Sequence, residues 1–530
     1  MFDIKISNTT IVDGSGNTPY RGDIGINSDR IIEIGDLSGI AAKRDLDGSG
    51  LTTLPGFIDT HSHADGVLLH APQGVHSIAQ GVTTEILTQD GMGWAPLSAD
   101  KYEEHAKYLA GILGDPPLDL DMSSIKELRS HYDGKTGPNI AVLVPHGPVR
   151  LSVLGFTDAP LVGDHLKAAQ ELVYTGLKEG AVGLSTGLSY YPQSYSTTDE
   201  LTALTDVLAT NNSVYVTHVR NHNNDRAPEG SGIDEAMTIA LRTGGKVHIS
   251  HFMTRPNSAG EVAELMAPIN RAKESGADIT LECYPYSANA TIPGYFLRGQ
   301  FHEGGLDGLL SNLKDSSLQD KLIDSLQNLF PGALEKAVFT RVVGEENRGL
   351  SGMSFVDIAA DRGVSIEEMV IEVMKEEAAS FGFRASTPAS VATTRQVESD
   401  VMELLSRPDY MLGSDGIPLL EDEGLPHPRA YGSFARVVGP LRRRFGVPIE
   451  QITNRLTKLP AERFGLTDRG EIKVGNFADL VMLDEETVHD LATFEDPRTG
   501  PTGIYHVLVN GQPAVLDGQL TGDIAGRAIP

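Results

Sequence analysis

The sequence predicts an α/β protein: a (β/α)8 barrel of the TIM type, with a small β-sandwich domain built from both ends of the chain. Three observations predict this fold. Short apolar runs alternate with helical patterns through the middle, β-type segments lie at both ends, and several central runs end in His or Asp. Strands that alternate with helices indicate a parallel sheet, and a barrel carries its active site at the carboxyl ends of its strands.

The first segment of the chain has the pattern of antiparallel strands. Residues 2–12 alternate apolar and polar side chains, and residues 13–16 (Asp-Gly-Ser-Gly) form a turn signal. The alternation continues through residues 22–27 and 30–34. So few strands bury too little apolar surface to form a stable core by themselves.

The last segment has the same character. Residues 480–483 form an apolar strand, and Asn510-Gly511 joins residues 504–509 to residues 512–516 in a predicted hairpin. We expect both ends to pair into one small domain of residues 1–55 and 466–530. The barrel then comprises residues 56–465.

The central region alternates strand and helix patterns. Strand patterns lie at 140–144, 181–184, 214–216, 246–249 and 410–412. An open doubly wound sheet is the alternative architecture, but no Gly-x-Gly-x-x-Gly motif follows the first strand. Residues 294–347 fit the strand–helix rhythm poorly and predict an insertion or lid.

The composition limits the partners and the location of the protein. Its 43 Lys and Arg stand against 72 Asp and Glu, a net charge of −29, which argues against nucleic acids and anionic membranes. The start of the chain has no signal-peptide pattern, and no apolar run reaches the ~18 residues of a membrane helix, so we expect a cytoplasmic protein. A small-molecule substrate is expected, and a homo-oligomer is compatible with the sequence.

The only cysteine, Cys283, excludes an intrachain disulfide and a cysteine-rich zinc module. A bound metal would therefore need histidines and carboxylates. His61 and His63 follow an apolar strand pattern, and alternate residues of a strand point to the same side. Both imidazoles are thus suited to one metal ion, although a polar strand end also explains such a pair.

Other strand patterns end in residues of the same chemistry. His218, His251 and Asp415 each follow an apolar run. In a barrel these ends converge on one pocket, so their recurrence favours a metal site over coincidence. His248 alternates with its strand neighbours and is expected to face a helix instead.

Longer motifs run through nearly the whole chain. They are Pro-Gly-Phe-Ile-Asp-Thr-His-Ser-His at 55–63, Gly-Val-Thr-Thr at 81–84, Gly-Leu-Ser-Thr-Gly-Leu at 183–188, Thr-His-Val-Arg-Asn at 217–221, Ile-Ser-His at 249–251, Tyr-Pro-Tyr at 284–286, Gly-Ser-Asp-Gly at 413–416, His-Pro-Arg-Ala-Tyr-Gly at 427–432, Leu-Pro-Ala-Glu-Arg-Phe-Gly-Leu at 459–466 and Ala-Asp-Leu-Val at 478–481. With these motifs the chain resembles the amidohydrolase superfamily, and more closely the N-acyl-D-amino-acid deacylase (D-aminoacylase) family.

The resemblance implies a metal-dependent hydrolase that cleaves an amide C–N bond with an activated water. It implies that His218 and His251 hold a tightly bound zinc ion, and that His61 and His63 line a second metal position. One or two zinc ions are therefore expected. Asp415 would accept the proton of the water and pass it to the leaving nitrogen.

One departure from the family concerns the metal bridge. The family carries a cysteine in the loop after the Gly-x-Thr-Thr motif, and this chain has Asp90 there. In other members of the superfamily a carboxylated lysine bridges the two metals, but no lysine ends the predicted fourth strand here. Asp90 is therefore the candidate bridging ligand, and the alternative is that Asp90 is a simple turn residue. A site of N and O ligands binds zinc less exclusively, so manganese or cobalt can compete.

A second departure concerns the substrate carboxylate. The family has a lysine two positions after the strand-six histidine, and this chain has Met253 there, while Arg429 matches the other cation of the family. Either Arg220 or Arg255 replaces the lysine, or the substrate lacks the usual carboxylate. The candidate substrate contacts are His146, Arg220, Met253, Tyr284, Tyr286 and Arg429, with a structural role as the alternative for His146.

Three functions remain open on the sequence alone. The first is deacylation of N-acyl-D-amino acids or related N-acyl compounds. The second is hydrolysis of cyclic amides, carbamates or lactones in the same barrel, which Asp90 and Met253 suggest. The third is a non-catalytic binding homologue, against which the full set of metal-type residues argues.

Overall fold

The computed structural model describes residues 1–221, 226, 231–385 and 390–530. Its strands are, in chain order, β1 (Phe2–Ile11), β2 (Tyr20–Asn27), β3 (Arg30–Gly35), β4 (Ala42–Asp47), β5 (Thr52–Pro55), β6 (Phe57–Asp59), β7 (Val82–Leu87), β8 (Asn139–Val142), β9 (Val144–Pro145), β10 (Gly183–Gly187), β11 (Val214–His218), β12 (Lys246–Ile249), β13 (Ile279–Cys283), β14 (Ala290–Thr291), β15 (Ala337–Phe339), β16 (Phe383–Ala385), β17 (Tyr410–Leu412), β18 (Leu480–Leu483), β19 (Ile504–Val509), β20 (Gln512–Leu516) and β21 (Gln519–Leu520).

The helices of the described residues lie between and after these strands. In chain order they are α1 (Val67–His70), α2 (Val75–Ile78), α3 (Ala99–Leu113), α4 (Ile125–Ser130), α5 (His146–Leu154), α6 (Gly163–Lys178), α7 (Thr198–Thr210), α8 (Gly232–Thr243), α9 (Val262–Glu274), α10 (Gly305–Lys314), α11 (Gln319–Asn328), α12 (Phe355–Arg362), α13 (Ile366–Glu376), α14 (Val391–Leu405), α15 (Arg429–Arg436), α16 (Arg442–Phe445), α17 (Ile449–Leu456) and α18 (Lys458–Phe464). None of them combines the length and the apolar composition that crossing a membrane requires.

The two ends of the chain pair in one sheet. Among the described residues it has nine strands, in the order β21-β20-β19-β18-β5-β1-β2-β3, with β4 beside β1. The junction is the antiparallel pair β5 and β18, in which Thr52 lies opposite Leu483. The predicted hairpin joins β19 to β20, and Asn510 and Gly511 at its turn have φ values of 48° and 74°. Positive φ at both central residues is what this tight turn requires.

The parallel strands of the central region follow one another in chain order. β6 pairs with β7, and β7 with β8; β9 resumes after Leu143, and the order continues through β10, β11, β12, β13 and β17. The chain after β17 lies beside the chain after β6, because the Asp415 N–H donates to the His61 carbonyl at 2.8 Å and the His63 N–H donates to the Gly416 carbonyl at 2.9 Å. Along the described strands the order has no reversal, which a doubly wound sheet would require.

Helix boundaries agree with capping chemistry in the sequence. At the start of α8, the Ser231 hydroxyl accepts from the Asp234 N–H while the Asp234 carboxylate accepts from the Ser231 N–H. The same helix ends at Gly244, which has a φ of 62°. Such a reciprocal cap and a left-handed glycine satisfy backbone groups that the helix ends leave free.

The chain between β13 and β17 carries an additional unit. β14, β15 and β16 form a small antiparallel sheet, and α10 to α13 lie between β14 and β16 in sequence. The unit is longer than the segment predicted from residues 294–347. Its Tyr295 ring lies edge-on to the His218 ring, with centroids 6.1 Å apart. The unit therefore reaches the carboxyl ends of the parallel strands.

Candidate metal centre

Four histidine rings meet where the parallel strands end. The Nε2 atoms of His61 and His63 lie 3.3 Å apart, and His218 Nδ1 lies 3.0 Å from His251 Nε2. The His61 and His63 rings are fully buried, and those of His218 and His251 are nearly so. Ring nitrogens from three separate strand ends thus face one another across a small volume.

Asp90 lies between the two histidine pairs. Its Oδ1 atom is 3.6 Å from His61 Nε2, and its Oδ2 atom is 3.5 Å from His218 Nδ1, 3.7 Å from His251 Nε2 and 3.9 Å from His63 Nε2. Asp90 Oδ1 is buried and has no hydrogen-bond partner among the described residues. A buried carboxylate oxygen is costly without a partner, so this arrangement is suited to a cation.

Asp415 completes the cluster. Its Oδ1 atom lies 3.5 Å from His63 Nε2 and 3.7 Å from His61 Nε2, while its Oδ2 atom accepts from Arg429 Nη1 at 2.7 Å. Burial opposes ionisation of Asp415, but the charge of Arg429 together with the hydrogen bond and charges of the neighbouring histidines holds the pKa of the carboxyl below its ordinary value. Asp415 is therefore ionised at neutral pH and has one oxygen turned to the histidines.

The backbone is strained at three of these residues. Asp90, His251 and Asp415 have φ values of 54°, 36° and 50°, in the left-handed region that non-glycine residues rarely adopt. Such conformations cost roughly 1–3 kcal/mol each and persist where surrounding contacts enforce them, typically at functional sites. The strain is independent support for a functional role of this cluster.

Contacts from the next strands hold the loop that carries Asp90. The Ser185 hydroxyl donates to the Thr88 carbonyl at 2.5 Å and accepts from the Gly91 N–H at 3.0 Å. Gln193 Nε2 donates to the Asp90 carbonyl at 3.0 Å. These bonds fix the left-handed turn at Asp90, so that its carboxylate faces the histidines.

Glu282 is a functional residue that the sequence analysis missed. It lies in β13, and its Oε1 atom is 2.5 Å from His61 Nδ1, while its Oε2 atom is bonded to the Thr60 hydroxyl and to His248 Nε2. Burial raises the pKa of Glu282, but the nearby His61 charge and the imidazole hydrogen bonds lower it below the ordinary value. In the sequence, Glu282 could have been recognised as the single acidic residue in the mostly apolar strand Ile279–Cys283.

Asp90 and Glu282 together determine the charge state of His61. Burial alone lowers the pKa of His61, but the charges of Asp90 and Glu282 raise it to about 10. The ring therefore carries a proton at neutral pH unless a metal cation replaces that charge. His248 contacts Glu282 and lies edge-on to Phe464 of α18, with ring centroids 5.4 Å apart, so it faces a helix as predicted.

The predicted substrate contacts have different surroundings. Tyr284 is buried, and its ring lies under the guanidinium of Arg429, 4.8 Å from the ring centroid, while its hydroxyl accepts from Arg255 Nη1 at 2.8 Å. Tyr286 instead lines a cavity of about 240 Å³ that Arg436 also lines. Of the two tyrosines, Tyr284 is therefore the one joined to the Asp415 cluster through Arg429.

Three other side chains predicted to contact the substrate instead contact other residues of the protein. Arg220 donates to Glu235 at 3.0 Å and to the carbonyls of Ser194 and Ser196. His146 Nε2 lies 3.2 Å from Glu200, which also pairs with a buried arginine. Met253 is 4% exposed and packs in the main apolar core.

Comparison with known proteins places this centre in a family. The model of the Amidohydrolase family matches residues 351–515. A D-aminoacylase of Alcaligenes xylosoxydans xylosoxydans is 32% identical over an alignment of 545 positions, which covers 100% of this chain and 97% of that protein. The chain belongs to the D-aminoacylase-like family of the amidohydrolases. The resemblance inferred from the motifs is thereby confirmed.

Two solved structures are similar over their whole length. The N-acyl-D-glutamate deacylase of Bordetella bronchiseptica, complexed with zinc and a phosphonate inhibitor that mimics the tetrahedral intermediate, is 29% identical, with a TM-score of 0.80 over 100% of this chain and 99% of that chain. A D-aminoacylase with a binuclear metal centre is 31% identical, with a TM-score of 0.80 and the same coverage. The chain is a hydrolase acting on carbon–nitrogen bonds other than peptide bonds.

Proposed function

We propose that the chain hydrolyses the amide bond of N-acyl-D-amino acids or related N-acyl compounds. The observation that carries this proposal is the convergence of four imidazoles and two carboxylates at the ends of the parallel strands, with arginine and tyrosine beside one carboxylate. The relatives that match over the whole chain, a D-aminoacylase and an N-acyl-D-glutamate deacylase, support the substrate class.

The donor set fits a divalent metal ion. The ligand atoms of His61, Asp90 and His251 lie within 4.8 Å of one another, as do those of His61, His63 and Asp415. Asp90 Oδ1 is a buried acceptor without a hydrogen-bond partner among the described residues. Imidazole and carboxylate ligands are those that zinc takes, and manganese or cobalt can compete at a site without thiolate.

We assign the ligands by their positions around Asp90. His218, His251 and Asp90 would hold one zinc ion, and His61 and His63, with Asp90, would line a second, weaker position. Asp90 Oδ1 faces His61, while Oδ2 faces His218 and His251 and lies 3.9 Å from His63, which supports a role shared between both positions. The number of bound ions is one or two.

The chemistry of hydrolysis then follows from the residues beside the metal. When bound, a divalent cation polarises the scissile carbonyl and lowers the pKa of an attacking water toward ~7. Asp415, held as a carboxylate by Arg429, accepts a proton from that water as its oxygen bonds to the carbonyl carbon. Asp415 then gives the proton to the leaving nitrogen as the C–N bond breaks, which yields a carboxylic acid and an amine.

The substrate class is tested with purified, zinc-loaded protein. N-acetyl-D-amino acids, their L-enantiomers and cyclic amides such as hydantoins are assayed for release of acetate or for ring opening. We expect release of the D-amino acid. Ring opening without any deacylation would replace the proposal by cyclic-amide hydrolysis, and inactivity on every substrate with metal bound would indicate a binding protein.

The metal assignment is tested by Asp90→Ala. We expect the metal content per chain to fall, and hydrolysis to be lost, because the shared ligand of both positions is removed. Metal content is measured by mass spectrometry after removal of free metal. Asp164→Ala, which changes a carboxylate with a 97% exposed side chain, is the control and should keep its metal. Unchanged metal content in Asp90→Ala would mean that Asp90 is a turn residue and not a metal ligand.

We also propose the domain organisation that positions this centre. Residues 56–465 form a closed (β/α)8 barrel, supported by the return of the parallel strand order from β17 to β6. Residues 1–55 and 466–530 form a small β-sandwich domain, supported by an apolar cluster of their own. Limited proteolysis should release no stable fragment of residues 1–55 alone, since its strands pair with those of the chain end.

A further inference from the structure

A cavity of about 220 Å³ lies where α3 meets the end of α5 and the residue before α10. This volume corresponds to roughly seven water molecules at ~30 Å³ each, which is enough for a small organic ligand. Its lining includes Lys101, Glu104 and His105 of α3, together with the apolar side chains of Leu151 and Phe156. Of the described residues that line it, none belongs to the metal centre.

The His105 imidazole in this lining is buried without a hydrogen bond. The residue is 2% exposed, and neither Nδ1 nor Nε2 has a partner among the described residues. Burial lowers the pKa of His105 to about 3, so the ring is neutral at pH 7 and offers one N–H donor and one acceptor nitrogen. Its ring neighbours are Tyr108 and Phe156, each with a centroid 6.0 Å away. Unpartnered buried nitrogens are costly, so a ligand with both a donor and an acceptor would stabilise this wall.

Two opposite charges line the same cavity without neutralising each other. Lys101 and Glu104 are three positions apart on α3, a spacing at which such side chains can pair. The Glu104 carboxylate nevertheless has no hydrogen bond or ion pair in the described part of the chain. Lys101 Nζ donates to the carbonyls of Leu151 and Ser152 at 2.8 and 3.4 Å. Because an ammonium group has three donors, Lys101 keeps one for a ligand.

We propose that this cavity binds a small free amino acid, with Glu104 taking its ammonium group and Lys101 its carboxylate. At neutral pH a free amino acid carries one positive and one negative group, so it matches both unpaired charges at once. Leu151 and Phe156 would pack against an apolar side chain of the ligand. The same ligand supplies the donor and the acceptor that His105 lacks.

The charges of the cavity distinguish a free amino acid from an N-acyl compound. The nitrogen of an N-acyl compound is an uncharged amide, which gives Glu104 no cation to hold. The cavity would therefore take the amino acid that hydrolysis releases and not the compound that enters the metal centre. This role as a product site rests on the proposed function, whereas the binding itself does not.

An occupant of this cavity would contact two parts of the chain that are distant in sequence. The Gly304 N–H donates to the Phe156 carbonyl at 3.0 Å, which fixes the start of α10 against the chain after α5. Glu104 Oε1 lies so close to Gly305 that a Cβ atom there would be 2.2 Å away. The ammonium contact would thus form where α3 meets the additional unit.

The test is isothermal titration calorimetry of the purified, zinc-loaded protein with D-leucine. We expect binding that Glu104→Gln and Lys101→Met each weaken about 10- to 100-fold, because each variant removes a charged hydrogen bond. Two fragments of the probe should bind wild type more weakly by a similar factor: 4-methylpentanoate lacks the ammonium group, and 3-methylbutylamine lacks the carboxylate. Binding of D-leucine at the metal centre would be the same in all variants and is subtracted.

Glu103→Gln is the matched control, since Glu103 is the exposed neighbour that pairs with Lys107 at 2.8 Å. It should bind D-leucine as wild type does. Equal affinity of Glu104→Gln, Lys101→Met and wild type would overturn the site, and so would a wild type that does not bind D-leucine. If Glu104→Gln does not fold, Lys101→Met and the two fragments still decide the question.

Deacylase assays without added amino acid separate this site from the proposed function. Glu104→Gln should retain the wild-type kcat/KM for an N-acetyl-D-amino acid, because Glu104 lies outside the metal centre. A wild type that binds D-leucine in this cavity but hydrolyses no N-acyl compound would overturn the proposed function and leave the amino-acid site standing.

Discussion

Glu282 constrains the His61 side of the candidate metal centre. Its carboxylate contacts His61, His248 and Thr60 at once, and all are buried. His61 Nδ1 lies 2.5 Å from Glu282 Oε1, which leaves Nε2 directed at Asp90 and Asp415. A carboxylate behind a histidine fixes the tautomer and orientation of the ring and raises its basicity as a ligand.

Glu282→Gln should weaken metal binding about 10- to 100-fold, since partners of metal-ligating histidines typically contribute this much. The neutral amide keeps the size of the side chain but removes the charge that favours a cation nearby. The measurement is a chelator competition titration on the purified protein. Glu377→Gln is the control: Glu377 is also buried and accepts from backbone N–H groups, but it lies in the additional unit. Equal metal affinity of Glu282→Gln and wild type would contradict this role.

At the scale of elements, the site depends on a short loop after β7. A single 3-10 turn at Gln89–Gly91 turns the chain so that Asp90 points back to the histidines. Gly91 has a φ of 61°, and a Cβ atom there would lie 1.8 Å from Gln193 Oε1. The same Gln193 bonds the Asp90 carbonyl, so that loop position and ligand position are coupled.

Gly91→Ala should therefore displace the loop and reduce kcat/KM about 100-fold, the scale of loss that a misplacement near 1 Å produces. Metal content should fall with it. Gly134→Ala is the control, because Gly134 has a φ of 67° and nothing within 4 Å of an added Cβ. The control shares the backbone strain without the clash. Wild-type activity in Gly91→Ala would refute the coupling of loop and ligand.

At the scale of the whole molecule, a buried polar network ties the terminal sheet to the parallel strands. Asn139, at the start of β8, donates to the Asp479 carboxylate at 3.2 Å and accepts from the Asn510 side chain at 2.7 Å. Arg469 bonds both Asp479 and Asn510. The C-terminal part of the terminal sheet thus helps to hold β8 of the central region.

Asp479→Ala should lower the free energy of unfolding by about 3–5 kcal/mol, because it leaves the buried charge of Arg469 without its partner. Urea unfolding followed by circular dichroism measures the change. Asp523→Ala, on the exposed C-terminal segment, should leave the stability unchanged within about 0.5 kcal/mol. If Asp479→Ala lowers the free energy of unfolding by less than about 1 kcal/mol, the network contributes little to holding the terminal sheet against the parallel strands.

Local patterns in the sequence predicted much of the fold and the main site residues. Strand alternation predicted that His61 and His63, which follow β6, face one point, and Asn510-Gly511 predicts its turn because both residues tolerate positive φ. Asp415 stood out because it follows an apolar run at a glycine-rich turn. Each of these inferences uses only residues close together in the chain.

The pairings around the site could not be predicted in this way. Glu282 is 221 residues from His61, and Arg220 found its counter-charge in Glu235 rather than in a substrate pocket. The sequence could not distinguish Tyr284 from Tyr286, although their surroundings differ.

By itself, the sequence predicted the candidate metal ligands from residue type and from spacing along a strand. Its longer motifs predicted the reaction class through their resemblance to the D-aminoacylase family. Only the tertiary structure decided which cation stays free. Arg429 is neutralised by Asp415, whereas Arg255 has no ion-pair partner among the described residues. The physical reason is that a charge takes its partner from whichever strand end or loop lies next to it, and that neighbour is fixed only when the strands have assembled.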